Sequence, residues 1–244
     1  MTMRLYYYTS KQYGMKSLWE KRLKVGKYED LNDPFELQAY KHVDADQRAL
    51  MQRLIQVLSK DSGVICFSET WKSNLMWAHY ADKHRGLCLG FDIPEGQQLT
   101  KIDYLRRRKE IPRNYKDDLQ SVAEDLVTTC LKVKSSDWKY EKEHRLRVAL
   151  EEISDGIYYK NFGPILTLRE VIVGERCSLS ISDVREALGY PECDVEIWSV
   201  KPAQTLFSMV PDEHYGRLQV AGYSSGLFKN RLLAEELRKM GKRN

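Results

Sequence analysis

The chain has 244 residues, 42% of them apolar and 30% charged, with 15 tyrosines, 5 tryptophans and a formal net charge of +4. This balance excludes a disordered chain and supplies ample core-forming material, while the charge is too small to argue for nucleic acid by itself. No apolar run is long enough to span a membrane, and Cys66, Cys88, Cys130, Cys177 and Cys193 form no CxxC or CxxH pair, so reduced thiols are expected rather than a structural zinc site.

Residues 4–9, RLYYYT, predict an aromatic-rich strand, and Ser10 is placed to cap a short helix from Lys11 to Lys21. The opening MTMRLYYYTS lacks the apolar stretch of a signal peptide, so a cytoplasmic location is expected. Leu23-Lys-Val-Gly reads as a second short strand or a turn. Asp44 to Lys60 predicts a helix with Leu50, Leu54, Ile55 and Leu58 on one face. Gly63 to Ser68 is a strand, Asn74 to Lys83 a helix, and Gly86 to Asp92 a strand stopped by Pro94.

Asp117 to Lys132 predicts a further helix striped by Leu119, Val122, Leu126 and Cys130. His144 to Leu150 alternates as a half-buried strand, and Gly156 to Tyr159 and Leu166 to Gly174 add strand material. A capping pattern at Ser180 or Ser182 opens a helix to Leu188. Val195 to Val200 is a strand, and Leu227 to Met240 a basic amphipathic helix. Strands and helices alternate irregularly, which predicts an α+β fold with a mixed, mostly antiparallel split sheet and flanking helices. The expected organisation is one domain over residues 1–200 and an extension over 201–244 whose helix packs on it. Neither GxGxxG nor GxxxxGK[ST] occurs.

Three polar clusters interrupt the core-forming pattern. In Leu31-Asn32-Asp33-Pro34-Phe35-Glu36, Asn-Asp-Pro is strong turn chemistry. It either anchors Leu31 and Phe35 in the core or presents Asn32, Asp33 and Glu36 to a ligand. The stretch from Cys66 to Asp92 mixes strand signals with Ser68, Trp77, His79 and Tyr80, which suits the lining of a pocket. The third cluster runs from Ser136 to Arg147, and strand alternation would put Glu141, Glu143 and Arg145 on one face. That is either an edge strand with its charges in water or a glutamate held by arginine for acid–base or ribose-binding work. The basic run Arg106-Arg107-Arg108-Lys109 reads as a solvated face or a basic patch.

Taken together, YxYTS at 6–10, LNDPFE at 31–36, CFS at 66–68, LMWAHYADKHRGLCLGFD at 75–92, WKYEKEHRLR at 138–147 and EVIVGERCS at 170–178 resemble domain-of-unknown-function family 2971, a bacterial family. The layout is also distantly similar to ADP-ribosyltransferases, which bind NAD in a split α+β sheet with three motif strands. That similarity implies Tyr8 and Thr9 at the first motif, where the superfamily has His or Arg in the place of Tyr8. It implies Ser68 or Tyr80 at the second and Glu141-Lys-Glu143 at the third.

The favoured expectation is therefore an NAD-consuming enzyme, with NAD as substrate and a toxin or phage-defence role. Glu143, Glu141, His79 and Tyr80 would be catalytic. Tyr8, Thr9, Asn32, Asp33, Glu36, Ser68, Trp77 and Arg145 would bind the nucleotide. Nucleic acid is one candidate acceptor, no membrane partner is expected, and no tightly bound metal. One alternative is a metal-dependent nuclease or phosphodiesterase gathering Asp33, Glu36, His79, Asp92 and Glu143. The other is a non-enzymatic adaptor that docks a protein partner through the C-terminal helix.

Overall fold

The computed structural model describes residues 1–41, 44–96, 98–111 and 119–222. The fold is α+β: helices accompany a large mixed sheet and smaller strand pairs. The chain divides into two compact units interleaved in sequence, one of residues 1–22, 70–94 and 161–244 and the other of residues 23–69 and 95–160. The amphipathic helix expected over 227–240 lies outside the described residues.

In the first unit, strand Thr2–Thr9 pairs antiparallel with strand Leu87–Pro94, which pairs antiparallel with strand Thr167–Val173. Strand Val195–Pro202 then adds in parallel, and strands Met209–Pro211 and Arg217–Val220 pair antiparallel with it. Strand Leu87–Pro94 is the centre of this unit: Leu87, Cys88, Leu89, Phe91 and Ile93 are fully buried. Pro94 does not stop that strand short but forms its last residue, opposite Thr2, a strand-end position where a missing N–H is tolerated.

Helix Lys11–Glu20 starts where the sequence places it, with the Ser10 hydroxyl accepting from the Tyr13 amide at 3.3 Å. Helix Asn74–Tyr80 ends three residues earlier than the expected Lys83. Asp82, Lys83 and His84 all take left-handed backbone angles (φ 46, 55 and 70°), so the chain turns out of the helix there. It then re-enters the sheet at Gly86, where a Cβ would stand 2.0 Å from the Thr9 carbonyl oxygen. Helix Ile181–Leu188 opens on a complete capping box. Ser180 Oγ accepts from the Asp183 amide at 3.2 Å, and the Asp183 carboxylate accepts from the Ser180 amide at 2.7 Å. Ser180→Ala is expected to destabilise the protein by about 1 kcal/mol in urea unfolding, and an unchanged midpoint would show the cap to be redundant.

In the second unit, strand Glu143–Ala149 lies between strands Ser62–Ser68 and Leu99–Lys101, antiparallel to both. It is therefore not the edge strand that its charges suggest. Around it, Tyr28, Leu37, Tyr40, Met51, Val64, Leu126, Cys130 and Val133 form a core, and Leu50, Leu54, Ile55 and Leu58 pack against it as the helical spacing predicts. Helix Ala45–Asp61 is capped by Asp44, whose carboxylate accepts from the Gln47 amide at 2.8 Å. Helix Leu119–Lys132 buries Leu126 and Cys130. Strands Glu152–Ser154 and Ile157–Asn161 form a hairpin whose turn, Asp155-Gly156, has φ of 53 and 76°. This is the Asp-Gly chemistry that a two-residue hairpin demands.

Candidate functional site

Strand periodicity decides which side chains of Glu143–Ala149 meet. Glu143, Arg145 and Arg147 stand opposite Ser68, Cys66 and Val64, and Arg145 also stands opposite Thr100. His144, Leu146 and Val148 point to the other face. Despite their charge, Glu143 and Arg145 are 3% and 2% exposed. A buried charge is tolerated only when it is paired and hydrogen-bonded, and here the pairing is extensive. Arg145 Nε donates to Glu143 Oε1 at 2.7 Å, and Nη2 donates to Glu36 Oε1 at 2.8 Å and to Glu143 Oε2 at 3.2 Å.

Glu36 arrives from the LNDPFE turn. The Asp33 carboxylate accepts from the Phe35 amide at 2.9 Å and the Asp33 carbonyl from the Glu36 amide at 3.0 Å. The turn buries Asp33 and leaves Phe35 57% exposed. Phe35 is thus not a core anchor: the turn's anchored polar groups are Asp33 and the Glu36 side chain, which is 5% exposed. Asn32 in the same turn is exposed.

The residue that joins the carboxylates is Lys134, on strand Val133–Ser135. Its ammonium lies 2.7 Å from Glu141, 3.1 Å from Glu143 and 3.4 Å from Glu36, with the side chain 5% exposed. Glu141 reaches it from a 3-10 helix, Ser136–Glu141, and not from the strand face that alternation predicted. Lys142, with φ 47°, ends that helix and lets Glu143 begin the strand, so the two glutamates approach Lys134 by different routes. Ser68 supports the turn by donating its hydroxyl to the Glu141 carbonyl at 2.6 Å. Tyr104 accepts from the Glu143 amide at 2.7 Å, and burial pushes its hydroxyl up to about 12, so it stays protonated. The Lys134 ammonium also lies 4.9 Å from the centre of the Trp138 ring.

The electrostatics follow from this packing. Burial pushes the Glu143 carboxyl upward, but the Arg145 guanidinium and Lys134 ammonium outweigh it and hold the carboxyl down at about 2. Burial likewise works against the charged Lys134, and Glu143, Glu141 and Glu36 reverse the effect. Both ions are therefore permanent near neutral pH. Burial raises the Cys66 thiol well above its ordinary range, with the Glu143 charge adding to it.

Lys134 also lines a cleft of about 190 Å³ with Phe35, Gln38, Arg106, Arg107 and Arg108. Arg108 donates to the Gln38 side-chain oxygen at 3.2 Å and lies 5.0 Å over the Phe35 ring. The basic run is thus the rim of a cleft, not merely a solvated face.

Six other expected site residues fall in the first unit. Tyr8 and Thr9 are buried, and Tyr8 donates to the Thr70 carbonyl at 2.8 Å. Trp77 is fully buried, edge-on to Tyr8 at 5.3 Å, with its indole N–H donating to the Trp71 carbonyl at 2.7 Å. His79 is exposed, and its ring lies 6.4 Å from that of Tyr80. Asp92, a ligand in the metal alternative, accepts instead from Arg4 at 2.6 Å and Arg169 at 2.9 Å. Among the described residues no group of three or more His, Cys, Asp or Glu side chains has metal-binding geometry. Among them, too, no helix is long and apolar enough to cross a membrane.

Sequence reasoning reaches Glu36, Glu141, Glu143 and Arg145 but misses Lys134, Tyr104 and Cys66. The one signal for Lys134 is its place in Val-Lys-Ser, a strand-like break between a helix and an acidic segment. No curated protein and no solved structure gave a significant match to the chain. Residues 76–146 match the model of a family described as Protein of unknown function (DUF2971), which is the family that the sequence motifs resemble.

Proposed function

We propose that the chain is an NAD-consuming enzyme of the ADP-ribosyltransferase type, with Glu143 as the carboxylate that faces the ribose. The observation that carries this reading is the Glu141-Lys-Glu143 pair, buried and bridged by Lys134, with Glu143 locked in its ionised form by Arg145. A carboxyl held near 2 does not shuttle protons at neutral pH. It is suited to a purely electrostatic task, and cleavage of a nicotinamide–ribose bond sets one: positive charge grows on C1 of the ribose and needs a fixed anion beside it. Glu36, Glu141 and Glu143 gather around the Lys134 ammonium, and this concentration of carboxylates favours that developing cation. The arginine-rimmed cleft beside Lys134 offers the complementary feature, a cationic surface for a dinucleotide's pyrophosphate.

Glu141 and Arg145 act in this reading as positioning residues for Glu143, and Asp33 and Glu36 as the turn that holds Arg145. The test is isothermal calorimetry of the protein with NAD, beside an assay of nicotinamide release by wild type and Glu143→Gln. Wild-type turnover and a loss of at least a hundredfold in a folded Glu143→Gln variant are expected. Absence of NAD binding by wild type, or turnover by the variant at the wild-type rate, would reject the assignment.

A further inference from the structure

A second cleft, of about 130 Å³, opens at the other end of the ion network, between strand Glu143–Ala149 and helix Leu119–Lys132. Its polar lining is Arg145, Arg147, Tyr28, Thr100 and Thr128. The volume is far above the ~15 Å³ that a single water requires. It is also too small for a whole dinucleotide, which belongs to the several-hundred-Å³ class of ligand pockets.

Arg145 defines the chemistry of this space. Its side chain is 3% exposed. Glu143 and Glu36 take up its Nε and Nη2, while Nη1 is buried without a hydrogen-bond partner among the described residues. A guanidinium presents five N–H donors in a rigid fork, and a buried donor left without an acceptor is costly. Arg147 lies on the same strand face two residues along, exposed, and Thr100 stands directly across from Arg145. Tyr28 is buried beside these groups: burial raises its hydroxyl's pKa, and the Ser62 side chain, then the Arg147 and Arg145 charges, oppose that rise. Two guanidiniums, two threonine hydroxyls and a phenol therefore converge on one space, and among the described residues no carboxylate lines it.

We propose that this cleft binds an oxyanion of the phosphate class, either free phosphate or the terminal phosphate of a nucleotide, on the unpaired edge of Arg145 and on Arg147. The acceptor oxygens supply what Nη1 lacks, and Arg147 adds the second charge that makes a tetrahedral anion preferred over chloride. This site is separate from the arginine-rimmed cleft beside Lys134, and it stands whichever way the NAD experiment turns out, because its readout uses no NAD.

The experiment is calorimetric titration of the full-length protein with inorganic phosphate and with adenosine monophosphate, at an ionic strength held constant with sodium chloride. Saturable binding of one or both is expected, weakened at least tenfold in Arg147→Gln and measurably in Thr100→Val. Tighter binding of the nucleotide assigns the anion to a nucleotide, and equal or weaker binding assigns it to free phosphate. Arg147→Gln changes an exposed side chain and is expected to fold, so the test does not depend on Arg145 variants. No binding of either probe by wild type, or binding that Arg147→Gln leaves intact, overturns the proposal and leaves the cleft to solvent.

Discussion

Replacing Lys134 with methionine is expected to destabilise the protein by about 3–5 kcal/mol, because it removes one partner from a buried ionic network and strands the others. Glu36, Glu141 and Glu143 all approach within 3.4 Å of that one ammonium. Without it, Arg145 is the one remaining cation of this group to face the carboxylates. Methionine matches the length of the lysine stem, so the effect reports the charge and not a cavity. For a chain of this size the midpoint of thermal unfolding is expected to fall by roughly 10 °C. The double variant Lys134→Met with Glu141→Gln is expected to recover part of the loss, since the stranded charge goes with its partner. A Lys134→Met protein within 1 kcal/mol of wild type would mean that the network contributes little to the fold, and the electrostatic case for Glu143 would weaken with it.

The second large effect is on the acid side. Glu143 is held at about 2 in the folded protein against an ordinary value of 4.5. A depressed carboxyl stabilises the fold fully above its unfolded value and loses that contribution as the pH falls through the folded one. The window therefore runs from about pH 5 down to about pH 2, and the contribution lost across it is about 3 kcal/mol. Glutamine at this position mimics the protonated acid. Urea unfolding of wild type and Glu143→Gln is thus expected to show a stability gap near pH 6 that closes by about 3 kcal/mol toward pH 2. A gap that stays constant with pH would show that Glu143 titrates normally and is not held by Arg145 and Lys134.

These two experiments also separate stability from chemistry. Burying a charged network costs desolvation that its pairing only partly returns, and hydrophobic residues often do as well. A buried network of charges with an unsatisfied guanidinium N–H is a poor choice if stability alone is served. Such groups accumulate where a ligand completes them. The transferase and anion-site readings each name a ligand group that would do so.

Local signals in the sequence determine much about this protein. Ser10, Asp44 and Ser180 are short polar side chains that satisfy the first amides of a helix, and each caps the helix it precedes. The apolar spacing of Leu50, Leu54, Ile55 and Leu58 and the alternation after His144 place a helix and a strand, because the periods 3.6 and 2 are written in neighbouring residues. The α+β class follows from the irregular order of those elements. Glu36, Glu143 and Arg145 stand out as polar residues in segments patterned for burial. The Asp155-Gly156 turn is local chemistry of the same kind, although the strand expected from Gly156 onward does not draw on it.

Only the tertiary structure decides which of these residues meet. Lys134 and Glu36 are 98 positions apart by their numbers, and nothing local marks the lysine as the centre of three carboxylates. Glu141 joins through a 3-10 turn whose left-handed exit at Lys142 breaks the alternation expected to govern it. Trp77, expected among the nucleotide-binding residues, is fully enclosed beside Tyr8. The division has one cause. Capping, period and turn chemistry are interactions between residues a few positions apart, whereas this buried ion network is assembled by bringing a strand, a turn, a 3-10 helix and a second strand, distant in sequence, to one place.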